Sequence, residues 1–528
     1  MLAVLVCGFK CYIEGMSLLR WNRSILPILT GVLGVIAIWS FRTGLVNIPK
    51  TWDIEAIEKA HLDPPDTTVK VVFAPEEYYN SLPEHIIYKT YPVYAKPYEP
   101  PGYLDSLRQL EPEIVFDINK ISTQEDWIKA GEQVFFWPPN ASDENRVFNG
   151  DHLDSAYLAG SGDPITKDGI YPFAKYVITE KGQISYGDLS CATCHTRVTD
   201  EGTVIIGAQG NHAFDAGFGY IMEKYKIPVD VVNMGVYQLV GTPWFPDSKS
   251  LVFSRNAEEL IEDLKARPLG VMSRQGMGYQ LPLSVPSLIG IKDIKYLDNT
   301  GLMRHQGPAD LMRYAALNQG MDMLTSYNGY IPLGIDNFTK LPTSDEWDNP
   351  FGYHPKRYSD AQLYALTQYI YSLEPPENPY QFAQELIKRG EQIFLEQGCV
   401  TCHTPPLYTS NQLTPVDGFE PPERHLENHD IFNVSVETDP RTSLTTRRGT
   451  GYYKIPSLRG VWFKGPFFHN GELATLEDIF DQRRLNDDYV PTGYKPSNVT
   501  TKAVKGHDFG MDLPTDDKAA LITFLKTL

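Results

Sequence analysis

Two short strings carry the residues most able to do chemistry: Cys191-Ala-Thr-Cys194-His195 and Cys399-Val-Thr-Cys402-His403. Both read C-x-x-C-H. Two cysteines three positions apart on a turn reach the two vinyl groups of one porphyrin, and the adjacent histidine then falls beneath the iron as proximal ligand. Zinc sites built from two C-x-x-C pairs usually keep the pairs about 15 to 20 residues apart. Here roughly 200 positions intervene. A thioredoxin-type C-x-x-C needs no following histidine. The spacing therefore predicts two covalently bound c-type haems, with Cys191, Cys194, Cys399 and Cys402 as attachment points and His195 and His403 as iron ligands.

The elements around these strings repeat. Ile-Lys-Ala-Gly-Glu-Gln-Val-Phe at 128–135 is matched by Ile-Lys-Arg-Gly-Glu-Gln-Ile-Phe at 387–394. Gly390 precedes Cys399 by 9 positions, whereas Gly131 precedes Cys191 by 60, so the first copy carries an insertion of about 51 residues. Pro286-Ser-Leu-Ile-Gly290 answers Pro456-Ser-Leu-Arg-Gly460, each followed eleven positions later by another glycine, Gly301 or Gly471. Asn299 takes the place of His469. Residues 365–373 and 520–528 close the copies as apolar helical stretches, entered from Ser359 or Asp360 in one and Thr515 in the other. The expected architecture is mainly α, with two tandem cytochrome-c-like domains at 121–376 and 380–528 joined by the proline-rich 375–379 linker. Residues 43–120, rich in Pro and Tyr, read as an extended wrapping segment.

Residues 25–41 carry no charge, span about 25 Å as a helix and follow Arg20 and Arg23. The positive-inside rule keeps residues 1–42 as a cytoplasmic start and uncleaved signal anchor, with the remainder periplasmic and held at the inner membrane. A cleaved signal would release it as an exported protein. Met16 is an alternative start that would leave Cys7 and Cys11 outside. The 47 Lys plus Arg against 66 Asp plus Glu, a net charge of −19, exclude a nucleic-acid partner, which needs basic patches. Acidity suits a small basic redox partner such as a cytochrome or cupredoxin.

The second half reads Pro456-Ser-Leu-Arg-Gly-Val-Trp-Phe-Lys-Gly-Pro-Phe-Phe-His469-Asn-Gly471-Glu-Leu-Ala-Thr-Leu-Glu477-Asp. It resembles the P-S-L-R-N-V…P-Y-x-H-D-G…T-L-E-E stretch of the bacterial di-haem cytochrome c peroxidase superfamily, which includes the methylamine-utilisation di-haem enzymes. The resemblance covers about residues 120 to 528, more strongly in the second half. Tyr296-Leu-Asp-Asn-Thr-Gly301, Asp310-Leu-Met-Arg-Tyr314 and Lys505-Gly-His507-Asp-Phe-Gly510 look most like the di-haem rubber oxygenase branch. The resemblance implies an oxidoreductase whose first haem reacts with a small oxidant, peroxide or O₂, and whose second haem transfers electrons. In the oxygenase branch it also implies an apolar substrate. Two departures stand out. The stretch 477–485 lacks the distal methionine common in the peroxidases, and Met312-Arg313-Tyr314 replaces their acid–base glutamate after Asp310-Leu311.

His507, in the loop entering the terminal helix, is the expected distal ligand of the second haem, with Met511 as rival. His354 is a further candidate for the first haem, and His212 and His305 are candidate distal-pocket residues. His469 is expected to bond a propionate or backbone rather than iron, and Met321 and Met323 to be core. The alternative function is a membrane-anchored di-haem electron carrier without catalysis of its own.

Overall fold

The computed structural model describes residues 46–141, 153–230, 232–233, 254–273, 281–332 and 356–528. The apolar run 25–41 and His354 lie outside them. Among the described residues no helix is long and apolar enough to cross a membrane. Contacts divide the chain into units 1–48 and 49–528, so both repeats and residues 49–120 share the second unit.

The opening helix of each repeat packs on the closing helix of the same repeat, Gln124–Phe136 on Asp360–Tyr371 and Gln384–Glu396 on Thr515–Leu525. The repeated glycine explains the packing. A Cβ at Gly131 would collide with the Ala365 carbonyl and crowd Tyr369, and one at Gly390 would collide with the Ala520 carbonyl and crowd Phe524. Only a residue without a side chain lets two helix backbones approach this closely. The Pro-Ser-Leu glycines also match, since Gly290 (φ 77°) and Gly460 (φ 68°) each open a short 3₁₀ turn in the left-handed region. Ser359 is the cap of Asp360–Tyr371, sharing a capping box with Gln362. The terminal helix differs from expectation: Thr515 is its first residue and Pro514 its cap, without a side-chain bond.

The expectation of a mainly α chain is corrected to a mixed one. Among the described residues six small antiparallel sheets accompany the helices. The largest joins Thr90–Tyr94 to Ile170–Val177 and then Ser185–Gly187, in register Tyr91↔Tyr176 and Tyr176↔Tyr186. Its central strand lies in the first repeat's insertion and an edge strand in segment 43–120. A chain leaving its opening helix so far before its haem motif must satisfy the intervening backbone groups, and strand pairing does so. The strand buries Tyr171, Phe173, Ala174, Tyr176 and Val177.

Segment 43–120 is itself partly helical, with Ile54–Ala60, Glu76–Ser81 and Tyr103–Arg108. It supplies core rather than only cover. Trp52 is fully buried, stacks on Tyr79 at 4.9 Å and donates its indole N–H to the Ala74 carbonyl. Val71–Val72 pairs with Ser326–Tyr327.

Buried charge ties the repeats together. Arg447 and Arg448 each approach Asp322 Oδ2 to 3.4 Å, and Arg448 approaches Asp298 to 3.6 Å. Tyr327 donates to Asp322 and Tyr314 to Asp298. Burial raises Asp322, but Arg448 and Arg447 outweigh it and hold the carboxyl below its usual range. Met321 and Met323 lie in the adjoining turn and are core, as expected.

Candidate haem sites

Cys191–Cys194 forms one helical turn capped by Ser190, whose hydroxyl accepts from the Thr193 N–H. Thr193 Oγ1 donates to the Phe173 carbonyl at 2.8 Å, pinning the turn to the central strand of the sheet. His195 Nδ1 donates to the Pro286 carbonyl at 3.0 Å. A carbonyl only accepts, so the proton sits on Nδ1 and Nε2 keeps its lone pair, the state a metal requires. Burial pushes the Cys191 thiol up to about 12, and none of the four cysteines forms a disulfide.

The second site uses the same parts. Gly398 (φ 72°) opens a 3₁₀ turn over Cys399–Thr401. His403 Nδ1 donates to the Tyr408 carbonyl at 3.1 Å, and the Pro456 carbonyl acts on the same imidazole. Pro286 and Pro456, paired by the sequence repeat, thus both address the histidine of a C-x-x-C-H string.

His507 faces His403 with ring centroids 6.4 Å apart and planes at 61°. Two trans imidazoles at ordinary metal–nitrogen distances of about 2 Å hold their ring centres roughly 6 Å apart. One ring nitrogen of His507, Nδ1, is buried without a hydrogen-bond partner. Burial, then His403 and Arg484, pushes His507 down to about 4, so the ring is neutral and ligand-competent. These features fit an iron between the two histidines.

Arg484, which sequence reasoning missed, builds the loop that presents His507. Its side chain is fully buried and donates to the carbonyls of Ile479, Val504, Gly506 and His507. His507 sits at φ 55°, a left-handed conformation rare for a side-chain-bearing residue, and its N–H bonds the Val436 carbonyl. One of two adjacent arginines in a charged stretch gives no sequence signal of such a role.

The other candidates separate clearly. His305 spends both nitrogens, Nδ1 on the Ile294 carbonyl at 2.6 Å and Nε2 on Tyr371 at 2.5 Å, and offers nothing to a haem pocket. His469 stacks on Tyr453 at 4.2 Å and bonds its hydroxyl at 3.0 Å, while its carbonyl accepts from Ser284 N. Met511 is buried. His212 lies in a small pocket with Cys194, Gly210, Phe214, Met272 and Val285. His85, from segment 43–120 and unnoticed in the sequence, packs on Trp137 and Tyr358 at 5.0 and 4.8 Å. Burial raises the Tyr358 hydroxyl well above its usual range, with Cys191 adding to the shift.

The sites meet along the segment 461–469. Arg197, two residues after His195, donates to the Gly465 carbonyl at 2.9 Å, and Gln209 donates to that of Pro466 at 2.7 Å. Phe468 stands 6.3 Å from the His507 ring. Phe463 is buried against Ile205 and Ala208.

No protein-family model matches the chain. It is 28% identical over 158 residues to the cytochrome-c peroxidase IdrP2 of Denitromonas iodatirespirans, covering 27% of this chain and 39% of that protein. It is 24% identical over 222 residues to the methylamine utilization protein MauG of Methylorubrum extorquens, covering 40% and 54%. The chain thus spans well under two thirds of the curated relatives it matches. Among solved structures, hydrazine synthase of Kuenenia stuttgartiensis aligns with 57% of this chain and 87% of its own at 18% identity and a TM-score of 0.28, too poor a superposition to argue from. The similarity of this chain is to the di-haem cytochrome c peroxidase and MauG superfamily.

Proposed function

We propose that this relative of the cytochrome c peroxidases is a di-haem c-type oxidoreductase in which two cytochrome-c-like domains, 121–376 and 380–528, divide the work. Cys191, Cys194 and His195 hold a haem that meets peroxide; Cys399, Cys402, His403 and His507 hold one that exchanges electrons. When bound, the haems supply one-electron redox chemistry and activation of the O–O bond. Peroxide is the oxidant on this reading because cytochrome c peroxidase is the activity named among the relatives. The C-x-x-C-H strings and the apolar run 25–41 support a working part outside the cytoplasm, held by a signal anchor within residues 1–42.

The observation that carries the division is the His403–His507 pair at 6.4 Å. His403 and His507 would together hold the second haem, leaving no place there for substrate and suiting it to electron transfer. Pro286 orients His195, while Thr193 and the sheet hold the attachment turn rigid. Arg197, Gln209 and Phe468 give a short bonded route between the sites. The acidic surface supports docking of a small basic electron-transfer protein.

Optical and EPR spectra of the holoprotein, fully oxidised and half-reduced, test this. One haem is expected to be low-spin throughout, and the other to turn high-spin and respond to peroxide in at least one redox state. H507G is expected to convert only the low-spin signal. Two haems that stay low-spin at every redox level and ignore peroxide would remove the proposal.

A further inference from the structure

The first site carries an acid–base pair that its sequence does not advertise. Asp163 follows the helix Ser155–Ser161, and its side chain is wholly inaccessible. Oδ1 accepts from His212 Nδ1 at 2.9 Å and from the Ala213 N–H at 2.8 Å. Oδ2 accepts from Tyr157 at 2.8 Å and Tyr171 at 2.7 Å. Burial alone would raise this carboxyl, but the charge of the His212 imidazole beside it, then the hydrogen bonds it accepts, outweigh burial and hold it below its usual range.

A carboxylate that only accepts places a proton on His212 Nδ1, so that Nε2 is the ring nitrogen turned away from Asp163. The ring plane is set as well. Phe173 stacks on it at 4.7 Å and 22°, and Phe214 meets it edge-on at 5.6 Å. Phe173 is also the residue whose carbonyl anchors Thr193, so the imidazole and the attachment turn are registered on one strand. The pocket His212 lines is shared with Cys194, where the haem edge is tethered on the proposed reading.

We propose that His212, oriented by Asp163, is the base that takes the proton from a hydroperoxide entering the Cys194 pocket. The proton moves from the peroxide oxygen to Nε2, giving a hydroperoxide anion and an imidazolium paired with Asp163. No other atom or electron moves in this step. The pair supplies the acid–base function left open where Met312-Arg313-Tyr314 replaces the peroxidase glutamate. Asp310 itself is engaged by Arg313 and the Gln306 N–H. The inference rests on the proposed reading of the first haem as open.

Hydrogen cyanide is the probe, because it too must lose a proton to bind ferric haem and its binding is followed in the Soret band without turnover. The holoprotein is brought to the redox state in which the first haem is high-spin. H212Q is expected to slow cyanide association by about 100-fold or more, the lower range for a positioned base. D163N keeps the shape of the cluster without its charge and should fall between H212Q and the unaltered protein. The low-spin signal of the second haem stays unchanged in both variants and reports that each is folded. Association rates within about threefold of the unaltered protein in both variants overturn the proposal. So does a first haem that is low-spin until H212Q makes it high-spin, because His212 is then an iron ligand. If neither haem binds cyanide at any redox level in any variant, the reading of an open site fails along with the inference.

Discussion

The two candidate haem sites are built from the same repeat and finished differently. In the second, His403 faces His507 across 6.4 Å, and a fully buried Arg484 grips the carbonyls of the loop that brings His507 there. In the first, His195 has the same carbonyl support, but the insertion before it supplies a sheet, and His212 is tied back by Asp163 beside Cys194. The lesson is that a duplicated scaffold keeps the turn around its C-x-x-C-H string and varies the loops that face it.

The comparison breaks most severely if the halves lose the charge cluster between them. R448M leaves Asp298 and Asp322 buried with less compensation, and removing one partner of a buried pair typically costs about 3 to 5 kcal/mol. Urea unfolding should show that loss, and the spectra of both haems should change together. Either haem responding alone would mean that the halves are energetically separate.

The glycines sharpen the comparison at a smaller scale. G131A and G390A each force a methyl against the partner helix, at a cost of about 1 to 3 kcal/mol by overpacking. Equal losses would show that the two crossings are equivalent in energy as well as in geometry. Thermal or urea midpoints of the single variants and of the pair measure this.

A pH dependence is expected from buried neutral histidines. Burial pushes His85 down to about 3 and His469 to about 4. The unfolded chain takes up these protons near pH 6.5 while the folded one does not, so their contribution is full above 6.5. It declines as the pH falls, until about 4 for His469 and about 3 for His85. Urea midpoints between pH 7 and 4 should fall, and less steeply in H469Q or H85Q. An unchanged slope in both variants would assign the loss to carboxylates.

Much was legible along the chain because it is local. The C-x-x-C-H strings, the I-K-x-G-E-Q glycines and the Pro-Ser-Leu turns depend on residues within a turn or two, and the structure gives each pair matching geometry. His507 was legible through its distance from the chain end. The mixed architecture was not, because the strands Thr90–Tyr94 and Ile170–Val177 gain their stability from pairing across some eighty positions. Asp163, Tyr157 and Tyr171 look like ordinary polar residues until the fold buries them around His212. His305 looked available in sequence and is spent in space on Ile294 and Tyr371.

The sequence by itself determined that two like units each present two thiols and a histidine at porphyrin spacing, since covalent geometry over five residues settles it. Only the tertiary structure decided which histidines face those units, because a side chain's partner depends on long-range burial and on which hydrogen bonds the surrounding backbone has left open. That difference separates His507, left with an unsatisfied nitrogen opposite His403, from His305, with none to offer.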